Sequence, residues 1–394
     1  MQKPNYANMQ ISKSTELAFV RFFVSLALAA IMAIWAIYLF SFGLSESTIG
    51  FVSAIFLIVA VSSSFIVIPI LEKYNQRKII IISLAISILG FSLLSIITNL
   101  YFFLAVYLVL TINAVLRVNA SDILFRDNSD DGKLNRQMSI MFCIINFAWL
   151  IGPLIAGFFL LEFGLRSVFL SAAGFYALAL ILFLILKISP AQKERDGLDK
   201  HILLNIINFI KDKKLHLPYL VSMGLQIWWG FVYIYIPLFI IKAGLSDGTV
   251  SIFIAFLVIP LIIFEYFVGK ASEKLGFRKF FKYGFFLLSI IALALFFMNN
   301  IYLQLALVVI ASIAASFIEP IDGAFFFKQV KKLDEEKYYP IFTTSKDFGA
   351  ALGKFLPAIV LLFLPSSFAY LVMFILMGIF FFISLKIKEV IVPY

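Results

Sequence analysis

The chain is 394 residues long, 63% hydrophobic and only 14% charged, where a soluble globular protein is about half apolar and a quarter charged. That balance excludes an ordinary water-exposed fold and leaves hydrocarbon as the solvent that fits. The net charge of +10 would suit nucleic acid, but no solvent-facing basic domain exists to carry such binding. A single cysteine, Cys143, excludes an intrachain disulfide and a metal-binding thiol cluster.

Met1 to Ser14 is polar, and the apolar stretch after it is too long for a signal-peptide core, so no removable leader is expected. A bilayer core of about 30 Å takes about 20 apolar residues as helix, because backbone polar groups cannot stay unpaired in lipid. Twelve stretches qualify, at 18–42, 48–71, 79–98, 101–124, 138–161, 167–187, 218–241, 250–270, 280–298, 302–327, 340–364 and 367–386. The fourth, tenth and eleventh carry charges. Most of the 32 Lys and Arg residues fall in alternate connections, such as Lys73, Arg77 and Lys78 or Lys270, Lys274, Arg278 and Lys279. The opposite connections hold only Arg166 and Lys242. Short loops rich in Lys and Arg stay cytoplasmic, which predicts a multi-pass protein of the cell membrane with both termini in the cytoplasm.

The one long polar connection, Ile188 to Leu217, holds His201 and His216 and separates six spans from six. Within it Leu203, Ile206, Ile207 and Ile210 recur at helical spacing, which predicts an amphipathic helix lying at the membrane interface. The expected organisation is an N-terminal six-helix bundle over 1–190, a linker over 191–216 and a C-terminal six-helix bundle over 217–394.

The two halves resemble each other. Gly43-Leu44-Ser45-Glu46-Ser47-Thr48-Ile49 returns as Gly244-Leu245-Ser246-Asp247-Gly248-Thr249-Val250, at an offset of 201 residues. In the same register Glu72-Lys73-Tyr74-Asn75-Gln76-Arg77-Lys78 returns as Glu273-Lys274-Leu275-Gly276-Phe277-Arg278-Lys279, Asn99 as Asn300, and Gly152 as Gly353. Blocks in one ungapped register point to a duplication. Two parallel six-helix halves place the substrate site between them near mid-membrane.

These blocks are similar to the major facilitator superfamily over essentially the whole chain. Gly269 to Lys279 resembles the family's Gly-x-x-x-Asp-Arg-x-Gly-Arg-Arg loop after the second span of a half, with Glu273 for Asp. The first-half copy has Ile68 for the leading Gly and Asn75 for the second; Asn tolerates a left-handed turn next best, which predicts that the tight loop is kept. Ala148, Gly152, Pro153, Ala156 and Gly157 in span five are similar to the Gly-x-x-x-Gly-Pro-x-x-Gly-Gly motif of many exporters, with alanine for two glycines. The resemblance implies an all-α membrane protein of twelve helices in two pseudo-symmetric bundles, with spans three, six, nine and twelve as lipid-facing supports. It further implies alternating access for a small-molecule substrate, with a proton gradient as the driving force and no other cofactor.

Ionisable residues inside a bilayer are costly and face a bundle interior or an aqueous cavity. They are Arg21 in span one, Arg117 in span four, Glu265 in span eight, Glu319 and Asp322 in span ten, and Lys346, Asp347 and Lys354 in span eleven; no acid is expected in the first-half spans. At 1.5 Å per residue, Lys354 sits near the midplane and Arg21 close enough to the surface to snorkel. The others lie in the third nearest the cytoplasm. Glu265, Glu319, Asp322, Lys346 and Asp347 therefore either interlock as an inner gate or include the acid that carries a coupling proton. Lys354 and Arg117 are candidates for an anionic substrate group, with structural pairing as the alternative for each. Trp35 and Tyr38 of span one, Gln226, Trp228, Trp229 and Tyr233 of span seven, and Asn113 of span four offer stacking faces and hydrogen bonds for an amphipathic ligand. Interfacial belting or helix-helix contact would explain the same residues.

No catalytic residue and no metal site is expected. Both histidines fall in the linker, Cys143 has no accompanying base, and no phosphate-cradling loop ending in Lys-Ser/Thr occurs. The function expected is secondary transport, either proton-linked efflux of a small amphipathic solute or uptake of an organic anion or sugar, by a monomer in the lipid bilayer. A membrane receptor or scaffold is the distant alternative.

Overall fold

The computed structural model of the chain describes residues 13–129, 134–189, 202–331 and 334–388; His201 and the linker around it lie outside them. The described residues form helices and no strand. The first half contains Lys13–Phe40 (α1), Glu46–Lys73 (α2), Gln76–Leu94 (α3), Leu100–Asp127 (α4), Leu134–Phe163 (α5) and Leu165–Leu186 (α6). Ile202–Lys211 (α7) precedes Lys213–Lys242 (α8), Asp247–Leu275 (α9), Phe277–Phe297 (α10), Ile301–Ser316 (α11), Glu319–Gln329 (α12), Glu335–Val360 (α13) and Phe368–Leu385 (α14).

Among the described residues eleven segments are long and apolar enough to cross a membrane, α11 and α12 counting as one. The predicted eleventh span, α13, is 26 residues long, ample for the bilayer core. Its Lys346, Asp347 and Lys354 lower its hydropathy. The predicted tenth span is broken at Phe317 and Ile318, with Pro320 in the first turn of α12. Proline cannot donate to the helical ladder, which accounts for the interruption beside Glu319.

The described residues fall into two packing units that follow other lines than the chain halves. One comprises Met1–Ile31, Ser64–Gly152 and Arg166–Arg195; the other comprises Met32–Ser63, Pro153–Leu165 and Asp196–Tyr394. In the second unit α8 and α13 are pressed backbone to backbone. A Cβ at Gly353 would collide with the Ile227 carbonyl, and one at Gly349 with that of Met223. The first unit repeats this contact in the same register: a Cβ at Gly152 would meet Ala29 Cβ at 2.6 Å and the Leu26 carbonyl oxygen at 3.1 Å. Small residues let membrane helices approach closely, and the duplication has kept that contact in both units.

Smaller features repeat as well. Asn99 caps α4 by accepting from the Phe102 N–H, and Asn300 caps α11 by accepting from those of Tyr302 and Leu303. The Ser45–Thr48 hydroxyl pair, 2.9 Å apart, recurs as Ser246–Thr249 at 3.1 Å. The basic loops differ. Gly276 has φ +80°, but Asn75 lies in the extended region at φ −66° and caps α3 through the Arg77 N–H. The expectation of a left-handed turn at Asn75 is therefore corrected: a side-chain cap does the work of the turn.

The predicted interfacial helix is α7. Phe209 pins it in a cluster with Leu215, Phe326 and Phe342, while Leu204, Ile207 and Ile210 stay exposed, as suits a helix bordering lipid.

Candidate functional site

In the second unit α8, α12 and α13 bring polar groups together. Trp229 donates its indole N–H to Glu319 Oε2 at 3.2 Å, and Tyr233 lies tilted over the Trp229 ring with centroids 5.7 Å apart. Asp322 is buried; it accepts from the Ser222 hydroxyl at 3.0 Å and pairs with Lys346 at 3.7 Å. Glu265 of α9 is half-buried and makes no hydrogen bond or ion pair among the described residues, although its charge is felt at Glu319. An acid pair and an acid–cation pair thus occupy neighbouring turns.

Lys354 differs from all of these. It is 8% exposed, and its ammonium makes no hydrogen bond or ion pair among the described residues; Asp347 is the charged group whose field reaches it. Asp347 itself is half-buried and unpaired among the described residues. Gln226 is half-buried, its amide also makes no protein hydrogen bond among them, and its Cβ lies against Gly349. Trp228 is fully buried with its indole N–H unpaired, and its ring is tilted toward Phe231 at 6.2 Å. Leaving a buried ammonium without a counterion costs several kcal/mol.

Trp35 donates to Ser53 Oγ at 2.8 Å and meets Phe56 edge-on at 5.7 Å; Tyr38 is buried and meets Phe42 edge-on at 5.2 Å. At the charge-poor end of the same unit Glu46 pairs with Lys242 at 3.0 Å and accepts from Ser366 Oγ at 2.9 Å. Nearby, Ser47 donates to the Ala358 carbonyl, Tyr235 donates to the Lys354 carbonyl, and Phe51 meets Phe355 edge-on at 5.4 Å. The start of α2 is thereby latched to α8 and α13.

In the first unit Arg117 is buried at 3% exposure and held from two sides. It donates to Ser87 Oγ at 2.6 Å and to the Tyr176 hydroxyl at 3.2 Å, and its guanidinium lies 4.8 Å from the Tyr176 ring centroid. Asn113 donates to the Ser83 carbonyl and to Ser87 Oγ, both at 3.0 Å. These bonds tie α3, α4 and α6 together. Arg21 does not snorkel freely as expected: it pairs with Asp122 at 2.6 Å and donates to Ser121 Oγ at 2.9 Å. Asp122 also corrects the expectation of no acid in the first-half spans.

The side chains of Glu72 and Glu273 lie outside the described residues. Of the other loop residues, Arg77 donates to Ser189 Oγ at 3.1 Å and Lys73 lies over the Tyr74 ring. Lys78 and Lys274 are exposed, Arg278 is half-buried, and a Cβ at Gly269 would meet open space. In span five a Cβ at Gly157 would meet Ser251 Cβ at 2.9 Å, and Pro153 is buried.

Sequence reasoning missed Asp122, Glu46 and Lys242. Glu46 had a signal, since it heads a repeated block in which Asp247 takes its place.

The Major Facilitator Superfamily model matches residues 17–354. No curated protein sequence matches the chain. Among solved structures, a mutant of the nucleoside transporter NupG superposes at TM-score 0.78 with 14% identity, covering 94% of this chain and 98% of that one. A POT family transporter in complex with 5-aminolevulinic acid gives 0.76 and 14%, covering 94% of each chain. A peptide transporter POT mutant in complex with alafosfalin gives 0.73 and 14%, covering 94% and 92%.

Proposed function

The chain belongs to the major facilitator superfamily, and from that premise we propose that it is a proton-coupled exporter of a small amphipathic or organic-anion solute. It works in the cell membrane as a monomer, by alternating access, with both termini in the cytoplasm. The observation that carries this reading is Lys354, a buried cation with no counterion among the described residues. A solute carboxylate or phosphate would satisfy it. Gln226, Trp229 and Tyr233 of α8 are further candidates for contact with the solute, offering an amide and aromatic rings, whereas Trp228 is fully buried. Arg117, Asn113 and Asp322 serve the scaffold instead, since each is spent on helix-to-helix bonds. Glu265 and Glu319 carry the proton: neither is paired with a cation within 4 Å among the described residues, and intramembrane acids of that kind mark proton relays. Solved structures of like fold include a nucleoside transporter and a peptide transporter, which supports a small organic solute.

The test is flux of labelled organic anions in proteoliposomes with an imposed pH gradient. Glu265→Gln or Glu319→Gln should abolish the response to the gradient while leaving solute exchange without a gradient intact. Transport indifferent to the gradient, with both variants fully active, contradicts proton coupling. Uptake of the same anion is the second reading, favoured by Ala148 and Ala156 standing where the export-type motif has glycine. Comparing inside-out and right-side-out vesicles separates the two directions.

A further inference from the structure

We infer that the solute is a zwitterion, its anionic group on Lys354 and its cationic group on Asp347. The two residues are seven positions apart on α13. Seven residues bring a helix back to nearly the same face about 10 Å further along. That face is not the one pressed on α8, which is occupied by Gly349 and Gly353. It continues to Ala358, whose carbonyl takes the Ser47 hydroxyl, so its upper end is closed while Asp347 at its lower end stays partly open.

Two opposite charges on one helix would neutralise each other if they stood three or four residues apart. Here they are too far apart for a direct ion pair, and neither has another partner among the described residues. Lys346, next to Asp347 in sequence, is engaged with Asp322 instead. A simple anion would satisfy Lys354 and leave Asp347 unpaired; a simple cation would do the reverse. A molecule carrying both charges satisfies both. An amphipathic amino acid or a short peptide has this chemistry. The span is bridged by the molecule together with the reach of the lysine side chain.

This inference rests on the reading that Lys354 meets the solute, and the experiment separates the two. A panel of free dipeptides and aromatic amino acids is titrated into purified full-length protein by calorimetry. Each compound is accompanied by its N-acetyl derivative, which is only anionic, and its amide, which is only cationic. At least one zwitterion should bind about 10-fold or more tightly than both derivatives. Asp347→Asn should then remove its advantage over the N-acetyl form, and Lys354→Gln its advantage over the amide, while Lys354→Arg keeps the preference. If N-acetyl forms bind as well as their parents and only Lys354→Gln weakens them, the zwitterion inference is overturned and the anion reading stands. If Lys354→Gln changes no affinity, both fall. Failure of every zwitterion to bind where simple organic anions do also overturns the inference.

Discussion

Arg117 and Lys354 are the two most deeply buried cations among the described residues, and they are handled in opposite ways. Arg117 spends its guanidinium on Ser87 and on both the hydroxyl and the ring of Tyr176. It binds α3, α4 and α6 into one unit without any carboxylate. Lys354, at 8% exposure, touches no neutralising group. A planar guanidinium with five donors can be largely satisfied by hydroxyls and an aromatic face, although the Arg117 Nε stays unpaired among the described residues. The compact Lys354 ammonium has none of these among the described residues, which is why a solute group is proposed as its partner. The difference teaches that burial of charge inside a membrane bundle does not by itself mark a binding site; the partners decide.

The largest effect should come from the contact that both units share. Gly353→Leu drives a side chain into the Ile227 carbonyl, and overpacking of this kind costs about 1–3 kcal/mol even for an extra methylene. It should abolish a monodisperse peak in detergent, whereas Gly269→Leu, facing open space, should leave the peak unchanged. Next comes the comparison itself. Arg117→Met removes hydrogen bonds to a charged group, each contributing about 1.5–3 kcal/mol, and should lower the melting temperature clearly. Lys354→Met removes an uncompensated buried charge and should leave the melting temperature equal or higher. Smaller still is the Glu46–Lys242 pair, whose lysine is half exposed. A double-mutant cycle of Glu46→Gln and Lys242→Met should give a coupling of about 1 kcal/mol or less. The Arg21–Asp122 pair, with Asp122 more exposed than Glu46, should give the smallest coupling of all.

Much of the architecture was legible because lipid imposes a simple rule: long apolar runs become helices. The duplicated blocks also told which residues would do equivalent jobs, and Asn99 with Asn300 and Gly152 with Gly353 do them. The loop at Asn75 was misread because a side-chain cap and a left-handed glycine can end a helix boundary equally well. The break before Glu319 was signalled by Pro320 alone, and proline inside a membrane helix does not always interrupt it: Pro153 and Pro260 sit within unbroken α5 and α9. For the candidate site, pairing was not legible in the sequence. Arg117 and Lys354 looked alike as intramembrane cations, because the groups that hold Arg117 lie on other helices. Asp122 was overlooked because it sits at the polar end of an otherwise apolar span.

One measurement tests the account most directly: solute binding by Lys354→Met and Arg117→Met, each titrated by calorimetry at matched folded fraction with a ligand of the wild-type protein. The account predicts that binding is lost in Lys354→Met and kept in Arg117→Met. Binding kept by Lys354→Met and lost by Arg117→Met would contradict it.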